Sequence, residues 1–252
     1  MLLLIDVGNT RIKWLLAGEE NYNDADIHYG NLTELEAFIG TLDTSVVSAL
    51  LAAVNQTDAL NRVLNQAGFL EIYIAQSEAE AQGVTNSYQY PERMGVDRWL
   101  AMIAAYRLFT DSPSKRQSPF NGVLVVDAGS ALTVDVIDGK GKHLGGYIVP
   151  GLRMAENALF SNTERVIQYK EDKSLTVSES RLNKLGNNTL QCVEYGLLNQ
   201  MASFIQSIVL RYAGFRLVIT GGDGQSLAAL LSVENVIIDK NLVLKGLWQV
   251  RN

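Results

Sequence analysis

Apolar residues recur along this chain in blocks of two kinds. Short apolar runs that end on a polar residue suit strands covered on both faces, and longer stretches with an apolar residue every third or fourth position suit helices. Leu2-Leu3-Leu4-Ile5 and the stretch after Asp6-Val7-Gly8 predict a β-hairpin over residues 2–17. A helix is predicted over 32–40, with Asn31 or Thr33 as its cap, then a strand over 45–50 and a helix near 57–67 that ends at Gly68. A strand at 71–75 and an apolar helix from Trp99 to Phe109 follow. Val123 opens a second hairpin, and a third strand at 143–149 leads into a helix reaching about residue 161. A long helix over roughly 188–212 stops at Gly214, followed by a strand at 215–219, the turn Thr220-Gly221-Gly222-Asp223-Gly224 and another helix. Such alternation implies an α/β protein.

Two of these blocks look like copies. Residues 2–14 and 123–135 each hold four apolar residues, Asp-x-Gly, a small polar residue and a second strand-like stretch, about half a chain apart. Two such hairpins with ordinary Asp-x-Gly turns would need no ligand. Their repetition at half-chain spacing predicts instead a duplicated domain whose two carboxylates, Asp6 and Asp127, face one cleft. Glycine after the aspartate allows a tight turn and close approach of a ligand, and exposed N–H groups with small polar residues can bind phosphate oxygens. An aspartate at a strand end suits Mg²⁺ or its water shell. The expected halves are 1–112 and 120–252, joined by a linker over 110–122 that carries two of the chain's four prolines.

Composition narrows the chemistry. The 252 residues are 47% hydrophobic and 19% charged, ordinary for a globular protein with ample core material. A net charge of −6 without a Lys/Arg run argues against a nucleic-acid surface, and Lys115-Arg116 reads as a solvated loop. One cysteine and two histidines, His28 and His143, exclude a disulfide framework and a Cys/His zinc site and leave little for a nucleophilic triad. Cys192, in an apolar helical pattern, is expected in the core. Carboxylates, Lys/Arg, hydroxyls and backbone amides remain, the inventory that phosphoryl transfer uses. Met1 runs into the apolar block without a basic segment, and no apolar run approaches membrane-spanning length, so a cytoplasmic protein without a membrane partner is expected.

Three further places stand out. Asp97 precedes the helix at 99 and reads either as its N-cap or as a general base, with Arg98 as a fork for carboxylate or phosphate. Thr220-Gly221-Gly222 follows a strand and opens a helix, where small residues admit a ring or a phosphate, or merely turn the chain. Thr189 is a candidate cap for the long helix, in which Gly196, up to ~1 kcal/mol worse than alanine there, points to close helix–helix approach, as at a subunit interface.

The motif set as a whole resembles that of type III pantothenate kinases. Asp6-x-Gly-Asn-Thr10, Gly95-x-Asp-Arg98, Asp127-x-Gly-Ser130, Gly145-Gly146 with Pro150-Gly151, and Thr220-Gly221-Gly222 occur in that family's order and spacing over essentially the whole chain. The family belongs to the acetate and sugar kinase, heat-shock chaperone and actin superfamily, so the resemblance implies duplicated ribonuclease-H-like (actin-like ATPase) halves around an ATP cleft. It implies ATP-dependent phosphorylation of the 4′-hydroxyl of pantothenate by a homodimer that needs Mg²⁺ and a monovalent cation, K⁺ or NH₄⁺. By motif match, Asp6 would orient the Mg²⁺–phosphate group within a segment (Val7, Gly8, Asn9, Thr10, Arg11, Ile12 and Lys13) that surrounds the phosphates. Asp97 would be the base, and Tyr88, Gly95, Val96, Arg98 and Thr189 would hold pantothenate. Asp127 would bind the monovalent cation, and Ser130, Gly221 and Gly222 would border ATP. The family usually has threonine where this chain has Ser130, which keeps the hydroxyl. A small kinase for another hydroxylated acid or sugar would carry the same phosphate motifs. A binding-only nucleotide switch would lack the active-site carboxylates, and Asp6, Asp97 and Asp127 are all present.

Overall fold

A computed structural model describes residues 1–8, 11–18, 21–44, 47–53, 57–111, 120–162, 182 and 184–251. Asn9 and Thr10 of the phosphate segment, and most of the expected linker, lie outside the described residues. The chain forms two compact units.

The first unit comprises Met1–Gln117, Lys140–His143 and Asn241–Asn252. Its sheet contains β1 (Leu2–Val7), β2 (Ile12–Ala17), β3 (His28–Gly30), β4 (Ser48–Ala53) and β5 (Ile72–Ile74), in the order β3-β2-β1-β4-β5. β2 pairs antiparallel with β1 and β3, while β1, β4 and β5 run parallel. Every β1 residue is buried, as its apolar run requires of a central strand covered on both faces. Leu3, Ile5 and Val7 pack with Leu35 and Ile39 of α1 (Leu32–Ile39) and Leu60 and Leu64 of α2 (Thr57–Gln66). Strand alternation turns Leu2, Leu4 and Asp6 to the opposite face. That face receives α3 (Val96–Thr110) and the C-terminal helix (Leu242–Arg251), which pack against each other and against β4, the C-terminal helix also against β1. α3 is buried on nearly all sides over its first ten residues, the behaviour of an all-round apolar helix. A two-stranded hairpin, β6 (Glu80–Ala81) and β7 (Val84–Thr85), precedes it.

The second unit comprises Ser118–Gly139 and Leu144–Lys240. Its sheet, β8 (Gly122–Ala128), β9 (Ala131–Asp138), β10 (His143–Pro150), β11 (Arg216–Thr220) and β12 (Ile237–Ile238), has the order β10-β9-β8-β11-β12. Strand for strand this is the order of the first unit, with the antiparallel pair β8–β9 followed by the parallel pairs β8–β11 and β11–β12. α4 (Leu152–Asn162) and α5 (Thr189–Arg211) lie between β10 and β11 in the chain, and α6 (Gly224–Leu230) between β11 and β12. Leu124, Val126, Leu132, Val134 and Leu217 share their core with Leu198, Ala202 and Ile205 of α5.

Several expectations are corrected. Residues 241–252 belong to the first unit, although the sequence-based division assigns them to the second half. Asn31 rather than Thr33 caps α1: its Oδ1 accepts from the Glu34 amide and its own amide donates to Glu34 Oε2, a reciprocal capping box. Asn188, not Thr189, caps α5 by accepting from the Gln191 amide. α3 starts three residues before Trp99, with Gly95 as N-cap, so Asp97 lies inside the first turn. The strand expected over 45–50 runs over Ser48–Ala53. Cys192 is exposed, on the outer side of α5, because the apolar face of that helix is carried by Leu198, Met201, Ala202, Ile205 and Ile208. Gly196 is exposed too, and an added Cβ there would meet nothing within 4 Å, so no intrachain contact accounts for it.

Candidate active site

Asp6 and Lys13 are direct cross-strand partners in the β1–β2 ladder, which puts both side chains on one face. Their ion pair, Lys13 Nζ to Asp6 Oδ2, measures 3.7 Å. Between them the chain turns through Gly8, whose amide donates to the Arg11 carbonyl at 3.2 Å. Val7 and Ile12 are buried strand ends, whereas Gly8 and Arg11 are exposed at the turn. Asp6 is buried, and its carboxyl is pushed up to about 6. Desolvation is the largest cause, opposed by the Lys13 ammonium and reinforced by the negative charge of Asp97. Asp97 reaches this neighbourhood because strand alternation points Asp6 to the face where α3 packs.

The start of α3 is held by its own side chains. The Arg98 amide donates to Asp97 Oδ1 at 2.8 Å, which satisfies one of the unpaired first-turn amides and leaves a carboxylate at the positive end of the helix dipole. Arg98 is buried, and its Nη1 donates to the Tyr88 hydroxyl at 2.8 Å. Tyr88 is held in turn by its backbone amide, which donates to Asn86 Oδ1 at 3.0 Å. Ser77 Oγ donates to the Met94 carbonyl at 2.9 Å and fixes the segment that leads into Gly95. Asn86 and Ser77 are buried polar residues that sequence reasoning missed; short polar residues in irregular segments give no periodic signal.

In the second unit Asp127 occupies the place that Asp6 holds in the first. Its ladder neighbours differ. Asp6 lies between Lys13 and Ala52, whereas Asp127 lies between Thr133 and Thr220. The repeat therefore sets one aspartate beside an ammonium and the other between two hydroxyls. Gly221, at φ +89, passes so close that an added Cβ would overlap Asp127 Oδ1 and the Ala128 carbonyl oxygen. Only glycine fits that backbone. Ser130 and Gly222 are exposed at neighbouring turns, and Thr189 is the first residue of α5.

The structure thus groups Asp6, Lys13, Tyr88, Gly95, Val96, Asp97 and Arg98 in the first unit, and Asp127, Ser130, Thr189, Gly221 and Gly222 in the second. Among the described residues no three His, Cys, Asp or Glu side chains come together as a metal cage.

The sequence profile of type III pantothenate kinases matches residues 2–211. A type III pantothenate kinase of Marinobacter nauticus is 34% identical, over 99% of this chain and 98% of that protein. One of Alcanivorax borkumensis is 32% identical over the same shares. Among solved structures, a Baf family protein of Campylobacter jejuni superposes with a TM-score of 0.61 at 22% identity, covering 98% of this chain and 96% of that one. A propionate kinase of Francisella tularensis gives 0.50 at 12% identity, covering 100% and 99%. At those identities the structures speak for the fold alone, the duplicated α/β fold of actin-like ATPases. Near-complete coverage at about a third identity, on a chain that carries the family's motifs in order, makes this protein a member of the type III pantothenate kinase family.

Proposed function

We propose that this chain transfers the terminal phosphoryl group of ATP to the 4′-hydroxyl of pantothenate, giving ADP and 4′-phosphopantothenate, the first step of coenzyme A biosynthesis. The observation that carries this reading is the Asp6–Lys13–Asp97–Arg98–Tyr88 constellation of the first unit in a chain of this family.

The residues divide the work as follows. The pantothenate hydroxyl oxygen forms its bond to the γ-phosphorus as the bond to the β-phosphate oxygen breaks, and the hydroxyl proton passes to the Asp97 carboxylate. Lys13 brings an ammonium to the phosphate oxygens, with Gly8 leaving room for them beside the β1–β2 hairpin. Arg98, oriented by Tyr88, pairs with the pantothenate carboxylate, and Thr189 contacts the same substrate. Positioning and charge neutralisation supply most of the acceleration in such a transfer.

Mg²⁺ fits this donor set as an ion carried by the nucleotide. Asp6 is a single buried carboxylate, and Mg²⁺ keeps several waters and is held through one or two carboxylates plus substrate phosphates. When bound it neutralises the β/γ oxygens. A monovalent cation, K⁺ or NH₄⁺, fits Asp127, whose ladder neighbours Thr133 and Thr220 offer oxygen rather than ammonium. Ser130, Gly221 and Gly222 border the nucleotide. The enzyme acts as a homodimer through the second unit, where β10 exposes Leu144, Tyr147 and Ile148 at a sheet edge and α5 carries the open Gly196. A cytoplasmic location suits an ATP-dependent biosynthetic enzyme, and among the described residues no helix is long and apolar enough to cross a membrane.

The test is ADP release from Mg-ATP with and without pantothenate, in K⁺ and in Na⁺ buffer, with Asp97→Asn alongside. Expected are pantothenate-dependent turnover that requires K⁺ and a loss of about 10²–10⁴ in rate for the variant. ATP binding without pantothenate-dependent turnover refutes the substrate, and wild-type turnover in the variant refutes the base.

A further inference from the structure

His143 is fully buried, yet nothing in the transfer chemistry uses it. It stands in the short segment Lys140–His143, which packs with the first unit. That segment is fixed to β7: the Thr85 amide donates to the Gly141 carbonyl at 2.9 Å, and Thr85 and Lys142 form a β-bridge. His143 makes two contacts with the segment that carries the substrate-facing tyrosine. Its Nδ1 is hydrogen-bonded to Ser87 Oγ at 3.0 Å, and its ring lies alongside the Tyr88 ring at 6.3 Å between centroids and 26° between planes.

Tyr88 needs such support. Its hydroxyl accepts from Arg98, so the direction of the guanidinium depends on where the phenol stands. Asn86 holds the Tyr88 backbone from one side. The Ser87 bond and the ring contact hold the side chain from the other, and a planar ring behind a planar ring restricts its rotation. A binding group works at full strength only when its own rotamer is fixed by packing and hydrogen bonds behind it.

We propose that His143 is a positioning residue for substrate recognition, and that with Ser87 it sets the Tyr88–Arg98 pair which receives the pantothenate carboxylate. This inference rests on the function proposed above. Its signature is selective, because the hydrogen bond and ring contact of His143 fall on Ser87 and Tyr88, in the segment proposed to hold pantothenate. Losing His143 raises KM for pantothenate and leaves KM for ATP and kcat near wild type.

The experiment is steady-state kinetics against both substrates for wild type, His143→Ala, His143→Asn, Ser87→Ala, Tyr88→Phe and the His143→Ala/Tyr88→Phe double variant, with thermal melts to establish folding. His143→Ala is expected to raise KM for pantothenate about tenfold, the equivalent of one hydrogen bond, with KM for ATP and kcat within about twofold. His143→Asn, whose amide can still reach Ser87, recovers part of the loss. The double variant is no worse than Tyr88→Phe alone, since the histidine acts through the tyrosine. Equal rises in both KM values, a fall in kcat alone, or full additivity in the double variant overturns the proposal. If His143→Ala does not fold, Ser87→Ala makes the same test: a rise of a fewfold confined to KM for pantothenate supports the role, and its absence overturns it. A wild-type enzyme without pantothenate-dependent turnover refutes the proposed function, and this inference with it.

Discussion

Replacing Asp6 by asparagine should stabilise the ligand-free protein while disabling it. The Asp6 carboxyl is raised from its ordinary 3.8 to about 6, chiefly by burial. In the folded state it therefore holds its proton to higher pH than in the unfolded chain. Below about pH 4 the group is protonated in both states and contributes no difference. Between about pH 4 and 6 the unfolded chain releases this proton first, so folding stability falls as pH rises. Above about pH 6 the penalty is complete, and a displacement of this size corresponds to roughly 3 kcal/mol. Asparagine carries no charge and escapes the penalty. The Lys13 attraction is already contained in that displacement, because it lowers the carboxyl that burial raises. The expected net gain for Asp6→Asn is about 3 kcal/mol at pH 8, shrinking to about 1 kcal/mol at pH 4.5. The assay is urea denaturation of both proteins without nucleotide at pH 4.5, 6 and 8, compared as differences so that other titrating groups cancel. A variant less stable than wild type at pH 8, or a difference that does not change with pH, refutes the reasoning. Mg-ATP should stabilise wild type and leave the variant little changed, the usual opposition between stability and a functional buried charge.

Two glycines give sharper structural tests. Gly221→Ala forces a Cβ onto a φ of +89 and into the Asp127 carboxylate and the Ala128 carbonyl, so it should destabilise the protein by about 2–4 kcal/mol and blunt activation by K⁺, read by melting and by turnover in K⁺ against Na⁺. Gly246→Ala would set a Cβ against the Leu100 backbone where the C-terminal helix meets α3, and should cost about 2–3 kcal/mol, with increased proteolysis of the C-terminal helix. Proteolysis and melting unchanged from wild type would show that this helix pair is not closely packed.

Much of the fold was legible in the chain because its signals are local. Both hairpins, the glycine stop of α2 and the long α5 follow from apolar period and turn chemistry over ten or so residues. The weak elements escaped notice: β3, β6, β7 and β12 are two or three residues long, too short to show a period. The candidate site was legible where a motif kept its residues adjacent, as at Asp6-x-Gly8 and Asp97-Arg98. It was not legible at Ser77 and His143, whose partners Met94 and Ser87 are distant in sequence, or at Asn86, which bonds the Tyr88 amide within an irregular segment. Cys192 shows the same limit from the other side. Apolar neighbours suggested burial, but which side of α5 faces the sheet is decided by the packing of Leu198, Met201 and Ile205.

By itself, then, the sequence determined that this is a duplicated α/β chain with an aspartate closing a buried strand in each copy, because repetition and period are properties of the chain. Only the tertiary structure decided what surrounds each aspartate. Parallel pairing brings Ala52 beside Asp6 and Thr220 beside Asp127, across 46 and 93 positions respectively. Docking of α3 and the C-terminal helix buries Asp6 and sets Asp97 near it, and the 140–143 segment puts a histidine behind Tyr88. Periodicity states which face of an element is apolar; which partner covers that face, and hence the local dielectric and charge, depends on contacts that no stretch of sequence contains.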